Sequence, residues 1–276
     1  MFENLLELLK MPFVVDAFLG IIPLCVLCGV IGTLICVNRL SYVAGGLTHG
    51  AYGGVGIGVY FSLPILVSAS IFTLILALIV GFLILRYKTQ SDQFIGAIWA
   101  FGMALGIILL ELSHGYKADM MGYLFGNILV LSSLNLYLLW GAGIVCVGLV
   151  WYFYPQFQAL SYDDEFAKIM GVNQKAFFYL LIVMIAMCVS LSMQAVGLIL
   201  VISLLSISTF IAQSLSKTLK GMMIYCTFLN FLFCVLGLLV SFCFDLSSGA
   251  SIIMVSVGGM LLFFLYKFIT TLPSKS

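Results

Sequence analysis

Apolar runs recur from one end of the chain to the other, separated by brief polar or glycine-rich breaks. Nine of them, at 14–37, 41–61, 64–85, 94–112, 134–154, 176–193, 195–213, 221–244 and 250–269, are long enough to cross a bilayer core as helices. They predict an all-α fold: a polytopic transmembrane helical bundle of eight to nine spans, filling residues 1–276 as one membrane domain. The sixth and seventh runs are almost contiguous, so the stretch from Gln194 to Gly197 is either a tight turn or a break. Residues 118–130 are semi-apolar but too short to span, which suits a half-helix or a surface helix.

Composition strengthens this picture. The chain is 64% hydrophobic and 8% charged, far below the roughly 25% charged that a soluble domain needs for its surface. A net charge of +1 gives no sign of a nucleic-acid partner. All eight cysteines lie in apolar runs, where a thiol behaves as a small hydrophobe and a disulfide framework is not expected. Cys25 and Cys28 form a CxxC pair, but without the polar or loop context that zinc or redox chemistry requires. The opening MFENLLELLKMP carries Glu3 and Glu7, not the positive start of a secretory signal, and suits a short amphipathic helix on the membrane surface.

Positive charges are retained in cytoplasmic loops. If the long polar loop 155–175 is inside, nine of the eleven Lys and Arg residues are inside and only Lys10 and Lys117 are outside. The N-terminus is then outside and the C-terminus cytoplasmic, as an odd number of spans demands. Asp16, Glu111 and Asp245 all fall near span ends, so no acidic residue is committed to the membrane centre. That weakens a proton- or sodium-driven carrier, which often uses one.

Two segments carry candidate chemistry. The second span holds seven glycines between Gly45 and Gly58, with His49 among them. Glycine permits close helix packing or a bend, and an intramembrane ionisable group is a functional candidate. The span is therefore either a helix lining a pathway, with His49 facing it as a metal-binding group, or a packing helix whose histidine bonds neighbouring backbone. His114 reads as an ordinary loop residue. In loop 155–175, Ser161 or Asp163 can cap a short helix, Asp164 and Glu165 suit its positive end, and Gly171 can stop it. Phe166, Ile169 and Met170 give that helix one apolar face, which fits a docking surface for a cytoplasmic partner.

Four motifs bring a family into view. NRLSYVAGGLTHGAYGGVGIG at 38–58 and the MMGYLFGNIL stretch ending at 129 are two. DDEFAKIMGV at 163–172 is the third, and VGLILVISLLSISTFIAQSLSK at 196–217 with FDLSSGASIIMV at 244–255 is the fourth. In this order and spacing they resemble the membrane subunits of bacterial ATP-binding-cassette importers for zinc, manganese and iron. The resemblance covers about Arg39 to Tyr266. It implies a homodimer in the cytoplasmic (inner) membrane, with ATPase subunits docked on helix 163–171 through Asp164, Glu165, Phe166, Ala167 and Gly171. It also implies an extracytoplasmic metal-binding protein that delivers cargo to outer loops including 112–122 and 245–249. The transported metal is then cargo, not a resident cofactor. ATP belongs to the partner, because this chain has no GxxxxGK[ST] loop.

Departures from the family pattern bear on the cargo. The Asp that family members commonly carry one helical turn before His49 is Gly45 here. A second family His corresponds to Phe101, and the family Pro and Arg of the seventh span correspond to Ser208 and Gln213. The expected path then uses His49 with Gly45, Gly46, Thr48, Ser206, Ser208 and Asp245, or else the cargo is a metal complex. A stand-alone secondary carrier or channel is the alternative, although no internal repeat supports it. An intramembrane enzyme is least expected, since HExxH and GxSxG are both absent.

Overall fold

The computed structural model of the protein describes residues 12–87, 90–113, 122, 124, 126, 128, 131–162 and 164–271. The amphipathic helix expected before residue 12, the loop histidine His114 and the cap residue Asp163 lie outside these. Among the described residues, nine long helices follow the apolar runs closely. They are α1 (Pro12–Val37), α2 (Ser41–Tyr60), α3 (Ile65–Arg86), α4 (Ser91–Leu112), α5 (Ser133–Tyr152), α8 (Gln174–Val196), α9 (Leu198–Leu215), α10 (Leu219–Phe244) and α11 (Ser248–Thr271). Eight of the nine are long and apolar enough to cross a membrane. The exception, α2, is diluted in hydropathy by its glycines and is shielded instead by its neighbours.

Polar chemistry marks the ends of these helices. Ser132, Asn173 and Thr218 each accept a bond from a first-turn backbone N–H, capping α5, α8 and α10. Within the apolar interior, Thr33, Thr48 and Thr73 donate to the carbonyl four residues back at 2.7–2.8 Å. Each hydroxyl is thereby satisfied within its own helix. The sharpest feature is the single residue between α8 and α9. Gly197 ends one helix and begins the next at φ 80°, ψ 162°, a conformation open to glycine and strained for any side chain. Of the tight turn or break expected over Gln194 to Gly197, the structure shows a break one residue wide, at Gly197.

α1 is the central post, packed by α5, α8, α9 and α10, while α2 is flanked by α3 and α4 and touched by α8 and α9. α11 lies outside α9 and α10. The outer surface is inverted relative to a soluble protein. Ile71, Ile75 and Phe82 on α3, Phe228 on α10 and Leu262 on α11 are all exposed, as a surface facing acyl chains requires. Six of the eight cysteines are buried, and all eight are free thiols. The sulfurs of Cys25 and Cys234 approach to 3.9 Å between α1 and α10.

Two segments differ from expectation. The loop after α5 is not a polar connection with one helix: α6 (Tyr154–Tyr162) follows α5 almost at once, and α7 (Asp164–Ile169) comes next. Phe157 of α6 is fully buried and meets Phe177 of α8 edge-on at 5.7 Å. One deeply placed aromatic thus holds α6 to the bundle, a signal hidden inside a polar-looking stretch. Of the semi-apolar segment, Gly126 sits at φ 62° with its backbone hard against Val196 and Gly197, and Ile128 is buried. These residues therefore pack onto the α8–α9 break, where irregular backbone is shielded by protein.

Among the buried polar side chains, Asn230 is uncompensated at both of its polar atoms. Asn230 of α10 is 0% exposed, and neither its amide nitrogen nor its oxygen has a hydrogen-bond partner. Asn230→Leu is expected to raise the thermal midpoint of the purified protein, removing a desolvation penalty of about 1–3 kcal/mol. A lowered midpoint would show that the amide is doing structural work.

Candidate functional site

α2 and α4 run parallel, joined through the antiparallel α3. Their glycines let the backbones meet. A Cβ on Gly102 would lie 2.6 Å from the Cα and carbonyl oxygen of Gly50, and one on Gly56 would lie 2.6 Å from the Gly106 oxygen. On another side of α2, a Cβ on Gly54 would stand 2.6 Å from Ala69 Cα of α3. Most of the glycine run is therefore a packing surface, and no break or flexible stretch occurs within α2. Close approach of this kind is how helices associate in lipid, where dispersion replaces the hydrophobic effect.

His49 occupies the edge of that packed face. It and Trp99 each stand eight residues into their helices, about 12 Å from the helix start and so towards the middle of each. The two rings stack with centroids 4.4 Å apart and planes inclined by 16°. The indole N–H of Trp99 donates to Met103 Sδ at 3.3 Å, one turn further along α4. Imidazole and thioether thus border the same indole. His49 is half-buried, and its Nδ1 is buried with no hydrogen-bond partner. One turn back on the same face, a Cβ on Gly45 would meet nothing within 4 Å. Gly46 packs against Ile95 of α4, and Thr48 is buried with its hydroxyl bonded to Ala44 O.

The other expected path residues are on other elements. Ser206 is exposed on α9, whereas Ser208 is fully buried there with an unpartnered hydroxyl. Asp245 is exposed between α10 and α11 at φ 53°, and Leu246 N–H bonds Ser241 O at 3.1 Å. Asp tolerates this left-handed conformation, which turns the chain here. Among the described residues, no group of three or more His, Cys, Asp or Glu side chains is placed to hold a metal ion. Trp99 and Met103 were not singled out from sequence, because an aromatic and a thioether in an apolar run carry no signal until the run beside them is known.

α7 ends as its sequence suggests. Gly171 adopts φ 72°, its N–H bonds Lys168 O at 3.0 Å, and Val172 N–H bonds Ala167 O at 3.0 Å, a complete Schellman stop. Ala167 is fully buried, Glu165 is exposed, and Ile169 and Met170 are 84% and 61% exposed. The side chains of Asp164 and Phe166 are outside the described set.

Comparison with known proteins completes the assignment. The ABC 3 transport family matches residues 10–269. The chain belongs to that family. It is 39% identical over 256 residues, 93% of this chain and 91% of the relative, to the uncharacterized membrane protein slr2045 of Synechocystis. It is 28% identical over 249 residues, 90% of this chain and 89% of the relative, to the manganese transport system membrane protein MntC of Listeria monocytogenes. The solved structure of PsaBC from Streptococcus pneumoniae in complex with Fab superposes with a TM-score of 0.85 at 28% identity, covering 96% of this chain and 95% of the other. As an ABC 3 family member the chain is a multi-pass permease subunit of the bacterial inner membrane, and a transport subunit, not a catalytic enzyme. The motif resemblance is met.

Proposed function

We propose that this chain is the translocating subunit of an ATP-driven importer that carries a divalent transition metal (zinc, manganese or iron), or a metal complex, into the cytoplasm. The observation that carries this reading is His49: an imidazole towards the middle of α2, half-buried, with an unpartnered buried nitrogen, on the face of α2 left open at Gly45. Neutral imidazole is a ligand for such cations, and an uncommitted ring inside a membrane is costly unless it is used. Relatives named for manganese transport support a metal cargo. Two copies of the chain enclose the path, with the N-terminus outside and the C-terminus cytoplasmic, as the positive charges indicate. A cytoplasmic ATPase docks at α7 and supplies the energy, and an extracytoplasmic metal-binding protein delivers the cargo to the outer loops, Asp245 among them. No cofactor is held permanently.

The test is the elemental content of cells with and without the gene in chelator-limited medium. A selective fall in one transition metal is expected, restored by the intact gene. His49→Ala should restore uptake at least ~10-fold less well, the scale of losing one group from a metal's surroundings. Full restoration by His49→Ala, with the protein present at normal levels in the membrane, would remove His49 from the path.

A further inference from the structure

We infer that Asn38 and Ser161 are positioning residues for transport: their hydrogen bond ties the junction of α6 and α7 to the corner between α1 and α2, so that movement of α7 is passed to both of those helices. The inference rests on the proposed docking of an ATPase at α7 and adds the residues through which that docking acts on the bundle.

The two residues are distant in sequence and meet where two chain reversals touch. Asn38 lies between Val37, the end of α1, and Ser41, the start of α2. Ser161 and Tyr162 close α6, just before Asp164 opens α7. Ser161, one of the two caps expected for α7, thus lies inside α6, where its hydroxyl serves another helix. Asn38 Nδ2 donates to Ser161 Oγ at 3.0 Å and to Leu34 O at 2.8 Å. One amide therefore grips α6 with one hydrogen and the last turn of its own helix with the other.

The packing around this bond sets what it can transmit. α7 packs against α6 and α8, and α6 packs against α1, α5 and α8. Phe157 holds α6 against Phe177 of α8, and Ser161 holds the end of α6 nearest α7 against α1. Beyond Asn38 the reversal is bonded in both directions. The N–H groups of Asn38, Arg39 and Leu40 donate to Leu34 O, Cys36 O and Ile35 O at 3.1, 3.1 and 2.8 Å, the Schellman pattern that also ends α7. Leu40 is buried, and its carbonyl accepts the Ala44 N–H of α2 at 3.0 Å. A displacement delivered at Ser161 therefore acts on the last turn of α1 and the first turn of α2 together.

The experiment uses the full-length chain co-purified with its ATPase and compares Asn38→Ala, Ser161→Ala, the double substitution and Ser161→Thr, which keeps the hydroxyl. Three quantities are read: the ATPase retained on purification, ATP hydrolysis by the complex in lipid nanodiscs, and uptake by cells. For uptake, Mn²⁺, Zn²⁺ and Fe²⁺ are offered together at trace concentration and counted by elemental mass spectrometry. Each alanine should leave ATPase retention and thermal melting unchanged and cut uptake relative to hydrolysis by about threefold or more, the scale of a contact that couples two sites. The double substitution should do no more than either single one, because the two residues share one bond. Ser161→Thr should keep the normal ratio. An unmoved ratio in Asn38→Ala, or losses that add in the double substitution, would overturn the inference. Loss of the ATPase or a lowered melting temperature in Asn38→Ala would overturn it too, by reducing the bond to a structural one. Normal ATPase retention with an unmoved ratio leaves docking at α7 standing and removes only the role of Asn38 and Ser161. An unmodified chain that retains no ATPase, or takes up none of the three metals, defeats both readings.

Discussion

Gly102→Leu is expected to remove most of the folded protein from the membrane. An alanine there already sets its Cβ 2.6 Å from Gly50 Cα and the Gly50 carbonyl oxygen. Those atoms are backbone, so no rotamer change relieves the overlap and α2 and α4 must separate. Overpacking a core by a few methylenes costs roughly 1–3 kcal/mol where side chains can adjust. Here they cannot, and a helix pair in lipid has only its surface fit to lose. About 3 kcal/mol or more, against total stabilities of about 5–15 kcal/mol, is enough to dominate. The measurement is the monodisperse fraction and thermal midpoint after detergent extraction, with Gly102→Ala as a milder step on the same scale. Gly141→Ala is the control, because that α5 glycine is exposed and its added Cβ meets nothing within 4 Å. It should be neutral or slightly stabilising through helix propensity. If Gly102→Leu extracts and melts like the unmodified protein, the close α2–α4 packing is not what holds that seam.

The same glycines show where sequence reading succeeds and where it stops. Span placement was legible to within three residues at each end, because length and apolar content are properties of each segment alone. The first helix, expected to reach residue 37, ends at Val37, and the second, expected over 41–61, runs Ser41–Tyr60. The α8–α9 junction was legible as a turn or a break over Gln194 to Gly197, and the structure narrows it to Gly197. The use made of the glycines in α2 was not. Seven in fourteen residues suit a bend as well as a packing face, and only the partners decide. Gly102 and Gly106 on α4 and Ala69 on α3 turn the run into a straight, tightly held helix. The Trp99 stack was invisible by the same logic, because it exists only once α2 and α4 are pressed to a common depth. Asp245 is legible in two ways. A charge beside an apolar run suggests cargo, yet its left-handed backbone conformation accounts for its presence in the turn. α6 was missed because its anchor, Phe157, is one apolar residue in a polar stretch, and one residue sets no period.

Ile169→Glu combined with Met170→Glu should abolish uptake while leaving the chain inserted and folded. Both side chains are large, apolar and exposed, at 84% and 61%, beside the buried Ala167 that seats α7 against the bundle. Ile169 ends the short helix α7 and Met170 follows it, just before the glycine stop. An exposed apolar pair on the side of the protein facing the cytoplasm, by the charge count, is the shape of an anchor for a docked ATPase. Central apolar anchors in such interfaces are worth about 2 kcal/mol or more each when lost, some 30-fold in affinity, and two carboxylates would also have to be desolvated against the partner. Co-purification of the ATPase should therefore fail, metal uptake should fall to background, and detergent-extracted yield and melting should match the unmodified protein. Deleting 163–171 outright should give the same loss of ATPase with insertion retained. The substitutions are the sharper experiment, because they leave Ala167, Gly171 and the helix itself in place. Retained ATPase binding with both glutamates present would move the docking surface off α7, and continued uptake after deletion of 163–171 would remove the ATP-driven mechanism.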